Sequence, residues 1–412
     1  MTNESVVILG AGIAGVCTAL ELARRGRRVT IIDQAPDCLL RASFRAEGKI
    51  HLGLVYANDP SLRTLELMLE GALNFDRIVG RLVGEPVAWD RLRSSPFLYA
   101  VLPGSLCSAD ELASTYAALQ GQYESRLESD SLTYLGTRPR TLSWHLPEYE
   151  AHEWLAPEAT NGIFGTAELA LDLGEFRRLL QGALERADGV ERRWRHRIES
   201  VERTASGHRL EGRTWEGEAW SLDAAVVINC LWEDRLRLDA QLGLAPHRPW
   251  VHRLKYRVLG RLPSALLNLP SFTFVLGPFG DIVTWPSGRV YLSWYPACLR
   301  EWCSELEVPE DWQAPCGGEP ESAVVQEVAA DTLSELSRIT PGLSAITVET
   351  VDAGIITAWG ATDVDDPEST LHQRHEVGPW VEDGWISVDT GKLTMAPLFA
   401  ERAAALAIEA GA

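Results

Sequence analysis

The chain has 412 residues, 46% hydrophobic and 23% charged, with 58 acidic side chains against 38 basic ones and a formal net charge of −20. That length allows two domains with sizeable cores. The acidic balance works against holding a phosphate backbone, which excludes nucleic acid as an expected partner. No apolar run approaches the ~20 residues of a membrane span, and "MTNESVVILGAG" enters a strand without the basic region and cleavage site of a signal peptide. Seven cysteines, odd in number and without zinc-type spacing, fit reduced thiols in a cytoplasmic protein with no metal site.

In chain order, "SVVIL" is a β-rich run, "GAGIAG" a turn, "VCTALELARRG" a helix ending at Gly26, and "RRVTIID" the next strand. The stretch "RAEGKIHLGLVY" (45–56) reads as a strand. Ile50, Leu52, Leu54 and Tyr56 then share one face, and Lys49, His51 and Gly53 the other. "NDPSLRTLELMLEGALNFDRI" reads as a helix with Asp59 as N-cap and Pro60 in its first position. Residues 76 to about 150 mix turns and aromatic residues without a clear period. "LDLGEFRRLLQGALERADG" is a helix with Asp172 and Glu175 at capping-box spacing, and "LDAAVVINC" is a buried-strand candidate. From 249, "RLKYRVLG", "SFTFVL", "DIVTW" and "RVYLSWY" alternate with Gly/Pro turns, the pattern of an antiparallel sheet. A loop over 307–322 and a helix to about 338 follow. The chain closes with a strand, a glycine turn and a helix in "GWISVDTGKLTMAPLFAERAAALAIEAGA".

Gly10, Gly12 and Gly15 form G-x-G-x-x-G between a strand and a helix, with Asp33 at the end of the following strand. Gly10 makes the tight turn, Gly12 lets backbone approach a pyrophosphate, and Gly15 lets helix pack on strand. The helix N-terminus favours phosphate charge, and Asp33 can accept from a ribose hydroxyl. A nicotinamide enzyme usually continues into regular β-α-β units. Here the chain passes through the 45–56 segment and an antiparallel sheet before returning to a strand–turn–helix at its end. That interleaving favours the longer FAD.

With these pieces in place, the sequence resembles the D-amino acid oxidase-like superfamily of FAD-dependent oxidoreductases, which includes glycine oxidase, sarcosine oxidase, 2-hydroxyglutarate oxidase and glycerol-3-phosphate dehydrogenase. Four segments carry the resemblance: "GAGIAGVCTALELARRGRRVTIID"; "EGKIHLGLVY", similar to the strand these enzymes run past the flavin; "LDLGEFRRLLQGAL" followed by "DAAVVINCLWEDRL"; and "VDTGKLTMAP", like the C-terminal flavin loop. The resemblance implies an α/β fold. A Rossmann-like FAD-binding domain (1–75, 151–240, 349–412) is interleaved with a mainly antiparallel-sheet substrate domain (76–150, 241–348). It also implies FAD contacts from Gly10, Gly12, Ile13, Ala14, Gly15, Asp33, Arg41, Ser43, Gly48, Lys49, Gly391, Lys392, Leu393 and Thr394. The sequence departs from the family pattern in three places. Asp33 replaces the commoner glutamate, Leu231 stands where glycine is usual, and Asp389 and Thr390 precede Gly391 where many members carry Gly-His. No cysteine lies in "AGIITAWGATD" (353–363), where sarcosine oxidases attach their flavin, so FAD is expected to be non-covalent.

In such an enzyme the flavin takes a hydride from a substrate carbon, and the protein orients the C–H bond and handles charge and protons. By analogy Lys392 faces the flavin edge or a substrate carboxylate; its alternative is a solvated surface lysine. Lys49 corresponds to a cation near the reactive flavin face, against the alternative of a lysine snorkelling to solvent. His51 is a general base or hydrogen-bond donor, or else a histidine satisfied by backbone carbonyls. Lys255 and Arg257 share a strand face and suit an anionic substrate or pairing with acids. Tyr291 and Trp359 are candidates for an aromatic substrate wall, with core packing as the alternative. The expected partner is a small molecule, an amine or amino-acid-like carboxylate oxidised at CH–NH, with molecular oxygen as the acceptor if the enzyme is an oxidase. A 2-hydroxy acid oxidised at CH–OH and a non-catalytic FAD-binding subunit are the alternatives.

Overall fold

The computed structural model describes residues 6–127, 132–151, 153–362, 366 and 369–411. Ser5 of the first expected strand and Asp363 at the end of the cysteine-free stretch lie outside them. Strand β1 (Val6–Leu9) is apolar and wholly buried, helix α1 is Ile13–Arg24, and β2 is Val29–Ile32. β1 pairs in parallel with β2 on one side and with Val226–Asn229 on the other. Among the described residues this sheet has six strands, ordered Gly378–Glu382, Trp385–Asp389, Val226–Asn229, β1, β2, Val190–Arg193; only the edge strand Gly378–Glu382 runs antiparallel to its neighbour. Sequence-distant segments thus lie side by side around β1. Ligand crevices in such sheets form beyond the carboxyl ends of the strands.

The turn after β1 is built as its glycines require. Gly10 sits at φ +92, and a Cβ there would lie 2.7 Å from the Cys230 carbonyl oxygen. A Cβ on Gly15 would lie 1.9 Å from the Gly10 carbonyl oxygen, so α1 touches the turn backbone to backbone. On this framework the described residues also form a three-stranded antiparallel meander (His196–Thr204, Gly207–Thr214, Ala219–Ala224) that the sequence reading leaves unassigned.

The second large sheet centres on Trp250–Arg261, which pairs with Arg289–Trp294, Leu299–Cys303 and Thr347–Trp359, and continues through Gly280–Thr284 and Ser271–Val275 to Phe97–Val101. Its pairings are antiparallel except for Ser271–Val275 with Phe97–Val101, which run parallel. Strand alternation divides its two faces. Leu254, Tyr256, Val258, Phe272, Phe274, Ile282, Val290 and Leu292 pack on one side with Val328 and Leu336 of the helix Ser322–Ile339. Arg253, Lys255, Arg257, Thr273, Asp281, Tyr291 and Ser293 occupy the alternate positions, and most of them are buried. Buried polar side chains must find partners, so this face is the place to look for function.

Two local expectations change. The 45–56 stretch is not a continuous strand: only Lys49–Ile50 (β3) pairs, with Leu169–Ala170, and Leu54–Tyr56 forms a 3-10 turn. Gly53, at φ +112, ends the extended run. A Cβ there would meet the Leu65 carbonyl oxygen at 2.9 Å, so Gly53 makes room for a helix and not for a ring or substrate. That helix, α2, spans Arg63–Val83 and not from Pro60. Asp59 accepts from Ser61 N, Ser61 Oγ and Thr64 N and so holds the entry turn, while Leu62 takes the cap position. Asp172 is the N-cap expected, accepting from Gly174 N and Glu175 N. Among the described residues no helix is long and apolar enough to cross a membrane.

Candidate active site

A cleft of about 1260 Å³ opens at the carboxyl ends of β1, β2 and Val226–Asn229. Gly10, Gly12, Ile13, Ala14, Asp33, Arg41, Ser43, Gly48, Lys49, His51, Gly391, Lys392 and Leu393 all line it. The N-terminus of α1 is fixed at its rim by Ile13 N donating to Ser43 Oγ at 2.9 Å. Asp33 accepts from Ala11 N at 2.5 Å and from Ala35 N at 2.7 Å, which ties the end of β2 to the glycine turn; burial pushes its carboxyl above the usual range. Arg41 reaches across to Glu233 at 2.8 Å, joining the 33–48 segment to the one after Val226–Asn229. These are the groups that a dinucleotide asks for: a helix N-terminus and an arginine for the phosphates, and a carboxylate at a strand end for ribose. The cleft therefore fits FAD. Leu231 needs no glycine here, because its backbone is ordinary right-handed (φ −74); the left-handed residue is the next one, Trp232 (φ 57), anchored by Nε1 donating to Ile355 O at 2.8 Å.

At its inner end the cleft meets the polar sheet face. Glu168 is fully buried and accepts from Leu52 N at 2.7 Å and Tyr99 Oη at 2.5 Å, and it lies 3.4 Å from His51 Nδ1. His51 Nε2 lies 3.7 Å from Glu47, and Thr394 Oγ1 accepts from the His51 backbone N–H at 2.8 Å. An imidazole between two carboxylates results. Burial opposes ionisation of both acids, but His51, with Lys392 and Lys255, holds Glu47 well below the usual range, and His51 and Lys49 lower Glu168.

Lys255 and Lys392 act on Glu47, and Arg374 in turn acts on Lys392. Lys255 is buried with Nζ 4.5 Å from the centre of the Tyr295 ring; burial disfavours its charge, yet Tyr291, Tyr295 and Glu47 hold it above the ordinary lysine range. Arg374 is buried, its Nε donating to Leu371 O at 3.0 Å and its N–H to Thr64 Oγ1 at 2.9 Å. Lys392, half-buried in the turn after Trp385–Asp389, is pushed down to about 7 by burial and by Arg374 and Lys255, against the pull of Glu47. Tyr56 Oη is buried in the same neighbourhood without a hydrogen-bond partner.

Several sequence-based assignments shift. Lys49 is neither a free cation nor a snorkelling one. It is buried, donating to Asp281 at 2.7 Å and Thr273 at 2.5 Å, with Nζ 4.3 Å from the centre of the Phe97 ring. Arg257 is taken up by Asp352 (2.6 and 3.1 Å) and Phe44 O (2.5 Å), so the acid-paired alternative holds for it. Trp359 does not line the cleft. Its Nε1 donates to Asp389 at 2.6 Å, and its ring lies near both His247 and Arg248. Tyr291 is buried beside Lys255, outside the cleft wall. Gly15 and Thr394 act behind the wall, on Gly10 and His51 respectively. The sequence reading missed Glu47, Glu168 and Arg374. Glu47 was visible as the acid four residues before His51, but nothing local marks the other two.

A glycine-turn α/β sheet beside a largely antiparallel sheet, with a cleft built for a dinucleotide, defines a flavoprotein oxidoreductase architecture. Residues 5–406 match the DAO family, described as FAD dependent oxidoreductase, and the chain belongs to that family. Among solved structures it is similar to glycine oxidase from Geobacillus kaustophilus (TM-score 0.68, 16% identity, 98% of this chain and 95% of that one). It is also similar to iminodiacetate oxidase from Chelativorans sp. BNC1 (TM-score 0.67, 18% identity, 98% and 95%). A D-amino acid dehydrogenase from Cereibacter sphaeroides is 48% identical over 48 residues, a match that spans 12% of this chain and 11% of that protein.

Proposed function

We propose that this FAD-dependent oxidoreductase oxidises the CH–NH bond of a small amino-acid-like carboxylate, with FAD held non-covalently. One observation carries the reading: Glu47 lines the cofactor cleft together with Lys392, and His51, Lys392 and Lys255 hold its carboxyl ionised. A site with both signs of charge suits a molecule with both, since an ammonium can face Glu47 while a carboxylate faces the cations. A 2-hydroxy acid would bring no positive group to face Glu47.

The bound flavin supplies the hydride acceptor. The protein's own part is to hold the substrate and manage its proton. Lys255 and Arg374 hold the carboxylate end. Glu47 draws the ammonium, and its Oε1 lies 3.7 Å from His51 Nε2, so a proton leaving the amine has an acceptor and a second station. Glu168 stands 3.4 Å from His51 Nδ1 and stays ionised behind the ring. Lys49, neutralised by Asp281, braces β3 against the sheet.

The test is anaerobic addition of matched amino acids and 2-hydroxy acids to the oxidised holoenzyme. Amino acids should bleach the flavin, and Glu47→Gln should abolish the bleaching while FAD remains bound. Bleaching by hydroxy acids alone would overturn the CH–NH reading. Re-admission of air then separates an oxidase from a dehydrogenase, and acid precipitation should release all FAD into the supernatant.

A further inference from the structure

We propose that a second cavity, which shares Ala46 and Glu47 with the cofactor cleft, receives the substrate's side chain and selects a short, uncharged one. The proposal rests on the amino-acid reading above and narrows it to small neutral amino acids.

The cavity measures about 360 Å³ with its mouth, against about 1260 Å³ for the cleft. It lies between the polar face of the large sheet and the entry to the helix Leu173–Arg186, which Asp172 caps. Ala46 and Glu47 line both spaces, so Glu47 stands at their boundary. An ammonium hydrogen-bonded to Glu47 brings its α-carbon to within about 4 Å of the carboxylate, and the side chain can then turn into the second space. Strand register places the other end. Lys255, Arg257 and Leu259 alternate onto one face of Trp250–Arg261, and Leu259 pairs with Tyr291 of the neighbouring strand. Arg257, Leu259 and Tyr291 line the cavity, and Lys255 stands one pleat repeat along the strand from Arg257, about 7 Å. A substrate whose ammonium meets Glu47 and whose carboxylate meets Lys255 has this cavity beside its third substituent. Tyr291, absent from the cleft wall, belongs to this one.

The lining decides what enters. Phe44, Leu171, Leu173, Leu259 and Trp285 supply apolar surface. The charged members are already paired. Arg257 donates to Asp352 at 2.6 Å and to Phe44 O at 2.5 Å, and Arg289 donates to Asp172 at 2.9 Å, whose other oxygen caps the helix. Glu47 is taken by the ammonium. A charged side chain would lose its water here and find no free counter-charge, whereas an apolar one gains by burial. Trp285 Nε1 is a buried N–H without a partner in the same wall; it can donate to a neutral acceptor but cannot neutralise a charge. The rival account is a packing gap that no substrate group enters.

Anaerobic stopped-flow reduction of the oxidised holoenzyme separates the two. Alanine, 2-aminobutyrate and norvaline, each as both enantiomers, are compared with aspartate and 2,4-diaminobutyrate by the bleaching rate divided by the half-saturating concentration. For the enantiomer that reacts, 2-aminobutyrate should exceed alanine about fourfold, the worth of one buried methylene, and the rise should continue until the cavity is full. Both charged amino acids should fall about tenfold or more below 2-aminobutyrate. Leu259→Trp, with unchanged FAD content and unfolding temperature, should hold the gain over alanine below about twofold, and Leu259→Ala should move the best side chain at least one methylene longer. If neither variant folds, the wild-type series decides alone. A flat wild-type series, or charged side chains that match 2-aminobutyrate, would overturn the pocket and leave the amino-acid reading standing, because amino acids would still bleach the flavin. If no amino acid bleaches it, the amino-acid reading falls and the pocket with it.

Discussion

Gly15→Ala sets two effects of opposite sign against each other, and the structure decides between them. Alanine in place of a helical glycine stabilises by about 0.5–1 kcal/mol where space allows. At Gly15 the new Cβ would lie 1.9 Å from the Gly10 carbonyl oxygen, against about 3.4 Å for ordinary contact, so α1 must withdraw by roughly 1.5 Å. The obstacle is backbone and cannot rotate away. Overpacking of this kind costs about 1–3 kcal/mol, a rigid backbone obstacle puts this site at the upper end of that range, and a net loss of about 2 kcal/mol remains after the propensity gain. Withdrawal of α1 also pulls Ile13 N from Ser43 Oγ and displaces the helix N-terminus at the cleft rim, so cofactor affinity should fall with stability. Gly121 is the control: it lies inside the helix Ala109–Leu127 with no atom within 4 Å of an added Cβ, so Gly121→Ala should stabilise by about 0.5–1 kcal/mol. Urea midpoints and flavin absorbance per protein measure both. A Gly15→Ala protein with a full complement of FAD and an unchanged midpoint would refute the reasoning.

Asp33→Asn leaves one acceptor oxygen for the two N–H groups of Ala11 and Ala35; an unpartnered buried donor costs about 1–3 kcal/mol, so FAD should bind about tenfold or more weaker in equilibrium dialysis. Lys49→Met strands Asp281 and should destabilise by about 3 kcal/mol, with Lys49→Met/Asp281→Leu recovering most of it in urea melts; no recovery would mean that the pair is not the cause. His252, buried against Thr357 Oγ1, is pushed down to about 4 by burial. The unfolded chain then binds the extra proton first, so stability falls as pH drops from about 6.5 to 4, by about 3 kcal/mol for this group. His252→Gln should flatten that part of the pH–stability curve. Lys392, pushed down to about 7, is cationic below that pH and neutral above it. Carboxylate inhibitors should therefore weaken as pH rises through 7, and Lys392→Met should remove the dependence.

What the sequence disclosed divides along physical lines. The glycine turn, Asp33 and the Asp172 cap were legible because each is a local contract: a left-handed φ, a helix packed on backbone, a side chain accepting from N–H groups two and three residues on. The two-face pattern of the central strand was legible in the same way. Leu254, Tyr256 and Val258 alternate with Arg253, Lys255 and Arg257, and one set lies in the core while the other meets polar partners. The same rule failed at 45–56, where it needs an extended chain and Gly53 ends one. Beyond β3 the apolar Leu54 and Tyr56 are buried by a 3-10 turn against α2, so hydrophobic alternation persisted by coincidence.

The site's charges were harder to read because their meaning is not local. Lys49, Lys255, Arg257 and Lys392 are four buried or half-buried cations that the sequence does not tell apart, and their fates depend on acids 95 to 345 positions away. Asp352 takes Arg257 and Asp281, 232 residues on, takes Lys49, while Lys255 and Lys392 are left to share Glu47. A lysine in a strand therefore says little about catalysis until the carboxylates facing it have been counted. Glu47 and Glu168 are the residues that make the count come out. Glu168 is spent on Tyr99 and the Leu52 amide and stands 3.4 Å from the His51 ring. Glu47 is left to Lys255, Lys392 and His51, a grouping that spans 345 residues of sequence and is invisible to any single motif.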